Sequence, residues 1–258
     1  MDWTEIICLT LAGAAGGGIN AVAGGGTLVT FPVLLLFGTP AIIANATNTL
    51  ALVLGTSGSL VGYRRHLPAV QKWLWRFIPV SIVGSIIGAR LLTCTSNRTF
   101  ERLVPFLILF ATILFMLQGP VRRLLMRQTA HVSEHSSRYV LAAIGFQFLV
   151  GIYGGYFGAG IGILMLAALG FMGLTDIHEM NTLKTILGSL INLVAALWFI
   201  GAGLINWPKA AVMTGGALVG YYLGAHYSQK ISQPQLRRII TGIGFVLSAV
   251  TFYKQFLR

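Results

Sequence analysis

Asn181, Lys184, Thr185, Gly188 and Asn192 are spaced i, i+3, i+4, i+7 and i+11, the interval at which side chains line one face of a helix. The sequence around them is apolar, so the stripe carries a cation, amides and a hydroxyl into a hydrophobic segment. Such groups are costly in hydrocarbon unless they pair or line a wet cavity, and a charge there is a functional-site hypothesis by default. The chemistry open to this set is replacement of an anion's water shell, with Lys184 supplying the charge. The competing readings are an interfacial lysine paired with Glu179 or Asp176, and asparagines that only bond between helices.

A second stripe precedes it. Asn45, Asn48, Gly55 and Ser59 fall on one face, with Thr49 and Thr56 beside it. The match belongs to a wider duplication. Gly18-Ile19 recurs as Gly151-Ile152, Asn48-Thr49-Leu50 as Asn181-Thr182-Leu183 and Gly55 as Gly188, all at an offset of 133. Further on, Gly84, Gly88-Ala89 and Arg102 find Gly220, Gly224-Ala225 and Arg238 at an offset of 136. Ala51 holds the place of Lys184, so only the second copy puts a cation on its stripe.

Glycine runs mark where helices would break: Gly16-Gly17-Gly18 and Gly24-Gly25-Gly26-Thr27 in the first copy, Gly154-Gly155 and Gly158-Ala159-Gly160 in the second. Backbone freed by a break is tolerated at membrane depth only where protein buries it or it lines a cavity. A half-helix starting near Thr27 or Ile161 would aim its amides and positive dipole end inward, where an anion can be held. Close packing through small residues is the other use of glycine in a membrane and better explains Gly84-xxx-Gly88 and Gly216-xxx-Gly220-xxx-Gly224. A nucleotide-binding loop is excluded, for no Gly-Lys-Ser/Thr ending follows.

The acids are few. Asp2, Glu5, Glu101, Glu134, Asp176 and Glu179 lie near segment ends or in loops, leaving no buried carboxylate chain for protons or cations. Asp176, His178 and Glu179 form the only cluster suited to ion coupling. His131 and His135 have metal-ligand spacing but sit in a charged loop without companions, so no metal or other cofactor is expected.

These residues need a membrane around them. The chain is 55% hydrophobic and 9% charged with a mean hydropathy of +0.79, against roughly 25% charged in soluble domains. The formal net charge of +12 sits in short loops between apolar segments, which points to membrane topology and not to nucleic acid. Cys8 and Cys94 lie in or beside apolar stretches, so no disulfide framework is read. The acidic start Met1-Asp2-Trp3-Thr4-Glu5 is unlike a secretory signal, and the first segment is expected to be retained.

Apolar segments run at about 5 to 23, 27 to 37, 41 to 62, 75 to 94 and 100 to 118, then at about 139 to 157, 160 to 172, 178 to 203, 208 to 228 and 234 to 257. The second of each set is too short to span ~30 Å of hydrocarbon. It pairs with the first as a helix, a break and a half-helix. Each half then crosses an odd number of times, and the halves form an inverted repeat. The expected fold is an all-α polytopic membrane protein of 8 to 10 transmembrane segments: residues 1–118 as first repeat, 119–138 as a basic cytoplasmic connecting loop, 139–258 as second repeat. Arg64, Arg65, Lys72 and Arg76 share a side with linker residues Arg122, Arg123, Arg127 and Arg138, which places both termini outside. Arg90, Arg98 and Arg102 oppose that orientation. Trp73, Trp75, Trp198 and Trp207 read as interfacial anchors.

The stretch from Gly18 through Asn20, Gly24-Gly25-Gly26-Thr27 to Pro32, followed by Pro40, Ala46-Thr47-Asn48 and the helix-closing Arg64-Arg65, resembles the sulfite exporter TauE/SafE family, also called the toluene sulfonate uptake permease family. The second half is similar to it in the glycine pattern from Gly151 to Gly158, in Lys184 at a position where relatives often carry lysine, and in Gly220-xxx-Gly224-Ala225. Where many relatives have a basic or polar residue after Ala-Thr-Asn, this chain has Thr49. The resemblance implies transport of small sulfur-containing anions such as sulfite, sulfoacetate or related organosulfonates, usually outward across a bacterial inner membrane.

The function expected is therefore secondary transport of a small anion by alternating access between the repeats. The substrate-binding residues expected are Gly24, Gly25, Gly26, Thr27, Asn45, Asn48, Thr49, Gly158, Gly160, Asn181, Lys184, Thr185 and Asn192. The partners expected are that anion, the lipid bilayer and a second copy of the chain as a homodimer. The alternatives are uptake of another small anion or organic acid, and a membrane-embedded enzyme, for which the scattered His, Cys and acidic residues form no catalytic set.

Overall fold

The structure is a computed structural model and describes residues 1–22, 25–63, 67–128, 137–171, 177–227 and 233–257. Among them it contains helices and no strand. The helices are α1 (Trp3–Val22), α2 (Thr27–Leu36), α3 (Ala41–Tyr63), α4 (Leu67–Cys94) and α5 (Asn97–Gln128), followed by α6 (Ser137–Tyr156), α7 (Ile161–Phe171), α8 (Ile177–Gly201), α9 (Trp207–Tyr227) and α10 (Gln233–Phe252), the last running into a π-helical turn at Tyr253–Leu257.

Each expected apolar segment falls on one helix, and the short ones fall on α2 and α7. Among the described residues four helical spans are long and apolar enough to cross a membrane, Leu67–Cys94, Asn97–Leu117, Glu179–Gly201 and Arg238–Phe256, and shorter apolar helices accompany them. Large apolar side chains lie exposed along them, among them Leu91, Leu141, Leu149, Val219 and Val246, as a lipid-facing surface requires. The chain is a multi-pass helical membrane protein.

One expectation needs correction. Gly16-Gly17-Gly18 and Gly154-Gly155 do not break helices, because α1 and α6 run unbroken through them. A methyl group on Gly17 would strike the Ala217 backbone, and one on Gly155 the Ser85 backbone. These glycines let helices touch main chain to main chain. The breaks come later, before α2 and before α7. α5 continues to Gln128 and α6 begins at Ser137, so helix enters the segment 119–138 from both sides. Leu, Met, Arg and Gln all carry high helix propensity, so charge alone does not end α5 there. Arg64, Arg65, His131, Glu134 and His135 lie outside the described residues.

The helices pair across the duplication. α1 packs along α9 and α4 along α6, both through glycine: Gly216 and Gly220 meet the Thr10 and Ala14 carbonyls, and Gly88 meets that of Ile152. α10 packs antiparallel along α5. Gly244 faces Thr112, Ser248 Oγ donates to Pro105 O at 3.1 Å, and the Phe252 ring stands edge-on to Phe106 at 4.8 Å.

α2 folds back along α1. Gly26 lies against Gly16 and Asn20, while Phe37, at the far end of α2, is joined through Lys209 to Glu5 in the first turn of α1. Eleven residues separate Glu5 from Gly16, or about 16 Å of helix. Trp3 and Trp207 are exposed at the Glu5 end, and the start of α2 lies in from that end by about half the thickness of a ~30 Å hydrocarbon layer.

Candidate functional site

The two half-helix starts share a backbone feature. Gly25 has φ +95° and Gly158 φ +78°, and these residues correspond at the offset of 133. An L side chain resists that conformation, so glycine is required at both. Gly160 adds a third positive φ at +80°.

At the first break the polar groups bind one another. Asn20 Oδ1 accepts from the Gly26 N–H at 2.8 Å. The Leu28 N–H reaches Gly25 O, and those of Val29 and Thr30 reach Gly26 O. The Thr30 hydroxyl stands between Gly26 O, at 3.0 Å, and Asn48 Oδ1. Asn48 Nδ2 donates to Thr27 Oγ1 at 3.4 Å, and Thr49 bonds back to Asn45 O at 2.9 Å. Thr30, Asn45, Asn48 and Thr49 are all buried. Asn20 and the turn itself take most of the amides after Gly26, and Asn48 and Thr27 fasten α2 to α3.

The second break is built differently. Tyr153 holds the place of Asn20 at the same offset, but its hydroxyl donates to the Ala159 carbonyl at 2.7 Å. It therefore does not cap the amides of α7, although the turn again takes those of Ile161 and Ile163, through Gly158 O at 3.5 Å and Gly160 O at 3.0 Å. Along α7 runs the stripe of α8. A methyl on Gly158 would lie 3.3 Å from Asn192 Oδ1, Gly188 faces Ile161 Cδ1, and a methyl on Gly162 would lie 3.2 Å from Lys184 Cδ. The Lys184 stem thus crosses the first turn of α7, about 10 Å along α8 from its start. Helix start and ammonium both carry positive potential, and both favour an anion.

Of the remaining expected residues, Asn181 and Thr185 are half-buried on α8, and Glu179 lies in its first turn. Gly24 and Asp176 lie outside the described residues, as does the side chain of His178. Asn45 is drawn to the other repeat, where its Nδ2 donates to Tyr156 O at 3.1 Å, at the end of α6.

Asn20, Thr30, Tyr153, Glu5 and Lys209 were not among the expected site residues. Carrying the duplication one step further would have found Asn20 and Tyr153 together, since they are the polar groups preceding each break by a fixed interval.

A model of the family described as Sulfite exporter TauE/SafE matches residues 9–251. Among curated proteins, a probable membrane transporter protein of Haemophilus influenzae is 27% identical over 242 residues, covering 92% of this chain and 90% of that one. The probable membrane transporter protein YfcA of Escherichia coli is 27% identical over 92% of this chain and 86% of its own length. YunE of Bacillus subtilis, also a probable membrane transporter protein, is 22% identical over 97% and 98%. No solved structure matches the chain.

Proposed function

The chain belongs to the sulfite exporter TauE/SafE family, and on that premise we propose that it is a secondary transporter that moves small sulfur-containing anions outward by alternating access. One observation carries the proposal: the Lys184 stem lies across the first turn of the α7 half-helix at Gly162, where the Tyr153 hydroxyl turns to the Ala159 carbonyl and, unlike Asn20 at the first break, takes no helix-start amide. Anion, ammonium and helix start form a favourable set at a depth where little water competes. Asn181, Thr185 and Asn192 offer polar groups on the same helix.

An inverted repeat supports rocking about that site. α5 and α10 are counterparts at the offset of 136, and they lie antiparallel. α9 starts at the face that holds Glu5 and Lys209. Its counterpart α4 follows α3, which starts at that face and runs 23 residues, about 35 Å, away from it. The equivalent helices thus begin on opposite sides, as in transporters built from inverted halves. Each negative charge moved outward gains ~2.3 kcal/mol per 100 mV when the inside is negative, so export of a divalent anion needs no coupled ion.

The test is flux of radiolabelled sulfite, thiosulfate and sulfoacetate from proteoliposomes under an imposed potential, in the wild type and in Lys184→Ala. Anion efflux that the variant loses is the expected result. Equal flux in both would remove Lys184 from the site, and flux of neutral or cationic solutes with none of any anion would overturn the function.

A further inference from the structure

The Lys209 ammonium, at the start of α9, gathers groups from the other repeat. Its Nζ donates to Phe37 O at 3.1 Å and to Thr39 Oγ1 at 3.0 Å, and it lies 2.6 Å from Glu5 Oε1. The two charged side chains are only 11% and 13% exposed. The carboxylate contact lacks hydrogen-bond alignment, so Glu5 is held by charge and not by direction. Around them Asn206 ties α9 to α3, its N–H donating to Thr47 Oγ1 at 3.0 Å and its Oδ1 accepting from the Lys209 N–H at 3.3 Å. One ammonium thus fastens α1, the end of half-helix α2, the turn into α3 and α9. A path from the broken-helix level to this face that runs between α1, α2, α3 and α9 parts those elements.

We propose that Glu5 and Lys209 form the gate of this face, closed in the structure. The proposal rests on the transport reading above, but concerns a place about 16 Å from the half-helix starts. Separating the pair strands two charges in a poorly solvated site. A transported anion removes half of that penalty by taking the place of Glu5 at Lys209, as a carboxylate and a sulfonate present similar oxygens to an ammonium. The empty carrier stays shut, and an arriving anion opens it. In this arrangement Glu5 is a tethered stand-in for the substrate.

The experiment reads access and not transport. In a chain with Cys8 and Cys94 replaced by serine, Ala44→Cys places a thiol in the first turn of α3, at a site that is fully buried. Labelling by a membrane-impermeant maleimide is followed in proteoliposomes with and without sulfoacetate. With the pair intact, labelling is slow without anion. Glu5→Gln and Lys209→Gln each label at least about tenfold faster without anion, a shift of about 1.4 kcal/mol in the opening equilibrium, and the reversed pair Glu5→Lys with Lys209→Glu slows labelling again. Because either single variant tests the pair, a folding failure of one leaves the other to decide. Sulfoacetate flux by the wild type, together with wild-type labelling rates in the folded single variants, would overturn the gate and leave the transport reading standing. Fast labelling of the variants in a protein that moves none of the anions would uphold the gate and overturn the substrate.

Discussion

Asn45 donates its side-chain amide to the backbone carbonyl of Tyr156, 111 positions away, at 3.1 Å. A carbonyl can only accept, so this bond fixes which way the amide points. Three residues along the same helix, Asn48 reaches Thr27 and Thr30 in the first turn of α2. α3 therefore holds the break of its own repeat with one asparagine and the break of the other repeat with the next.

Truncating Asn45 to alanine leaves the part-buried Tyr156 O without that donor. The expected cost is about 1–3 kcal/mol of stability, seen as a lower unfolding temperature in detergent by tryptophan fluorescence. An unchanged midpoint would mean that Tyr156 finds another donor and that α3 does not join the two breaks.

Lys184→Ala is expected to weaken anion binding while leaving the fold intact, because Lys184 is only half-buried and its stem lies beside Gly162. Hydrogen bonds to charged groups are worth about 1.5–3 kcal/mol, so apparent affinity should fall about 10- to 100-fold. Lys184→Arg keeps the charge and should recover part of it. Equal losses in both variants, each with an unfolded elution profile, would make Lys184 a structural residue instead.

Gly220→Ala drives a methyl group into the Ala14 carbonyl, whereas Gly242→Ala meets nothing within 4 Å. The first should cost about 1–3 kcal/mol or more by forcing α1 from α9. The second should be neutral or stabilising by up to about 1 kcal/mol, since alanine favours the helix. Thermal unfolding of the purified variants separates them, and equal behaviour would contradict the backbone contact between α1 and α9.

Gly160→Ala isolates the backbone conformation. Its φ is +80°, yet no heavy atom lies closer than 3.6 Å to the added methyl, so only the left-handed conformation resists. A loss of about 1–2 kcal/mol is expected. Gly158→Ala should lose more, since its methyl also meets Gly154 O at 3.0 Å. Calorimetry on the two variants tests the order.

The helices were legible in the sequence because apolar runs, glycine punctuation and Pro40 bound them closely. The stripes on α3 and α8 were legible as well, through spacing alone. What each stripe meets was not. Asn45 and Asn48 look alike in sequence, but one turns to α6 and the other to α2, a choice made by how the repeats interlock. Gly17 and Gly25 are likewise the same residue type in one glycine-rich stretch. The first serves close packing inside a helix and the second a positive φ, and only the partner, the Ala217 backbone or the turn into α2, tells them apart. Glu5 looked like a terminal acid because its cation lies some 200 residues away.

The pairing of α1 with α9 has a consequence for biosynthesis. Thr10 and Ala14 meet Gly216 and Gly220, so the main partner of the first helix is made about 200 residues later, roughly 10–40 s at ordinary ribosome speeds. Until then a glycine-lined flank waits in the bilayer with no matching surface, and a ribosome released after α5 leaves α1 and α4 each without their mates. The two halves of this chain must therefore mature together, and separately expressed halves should accumulate only when both are present in the same membrane.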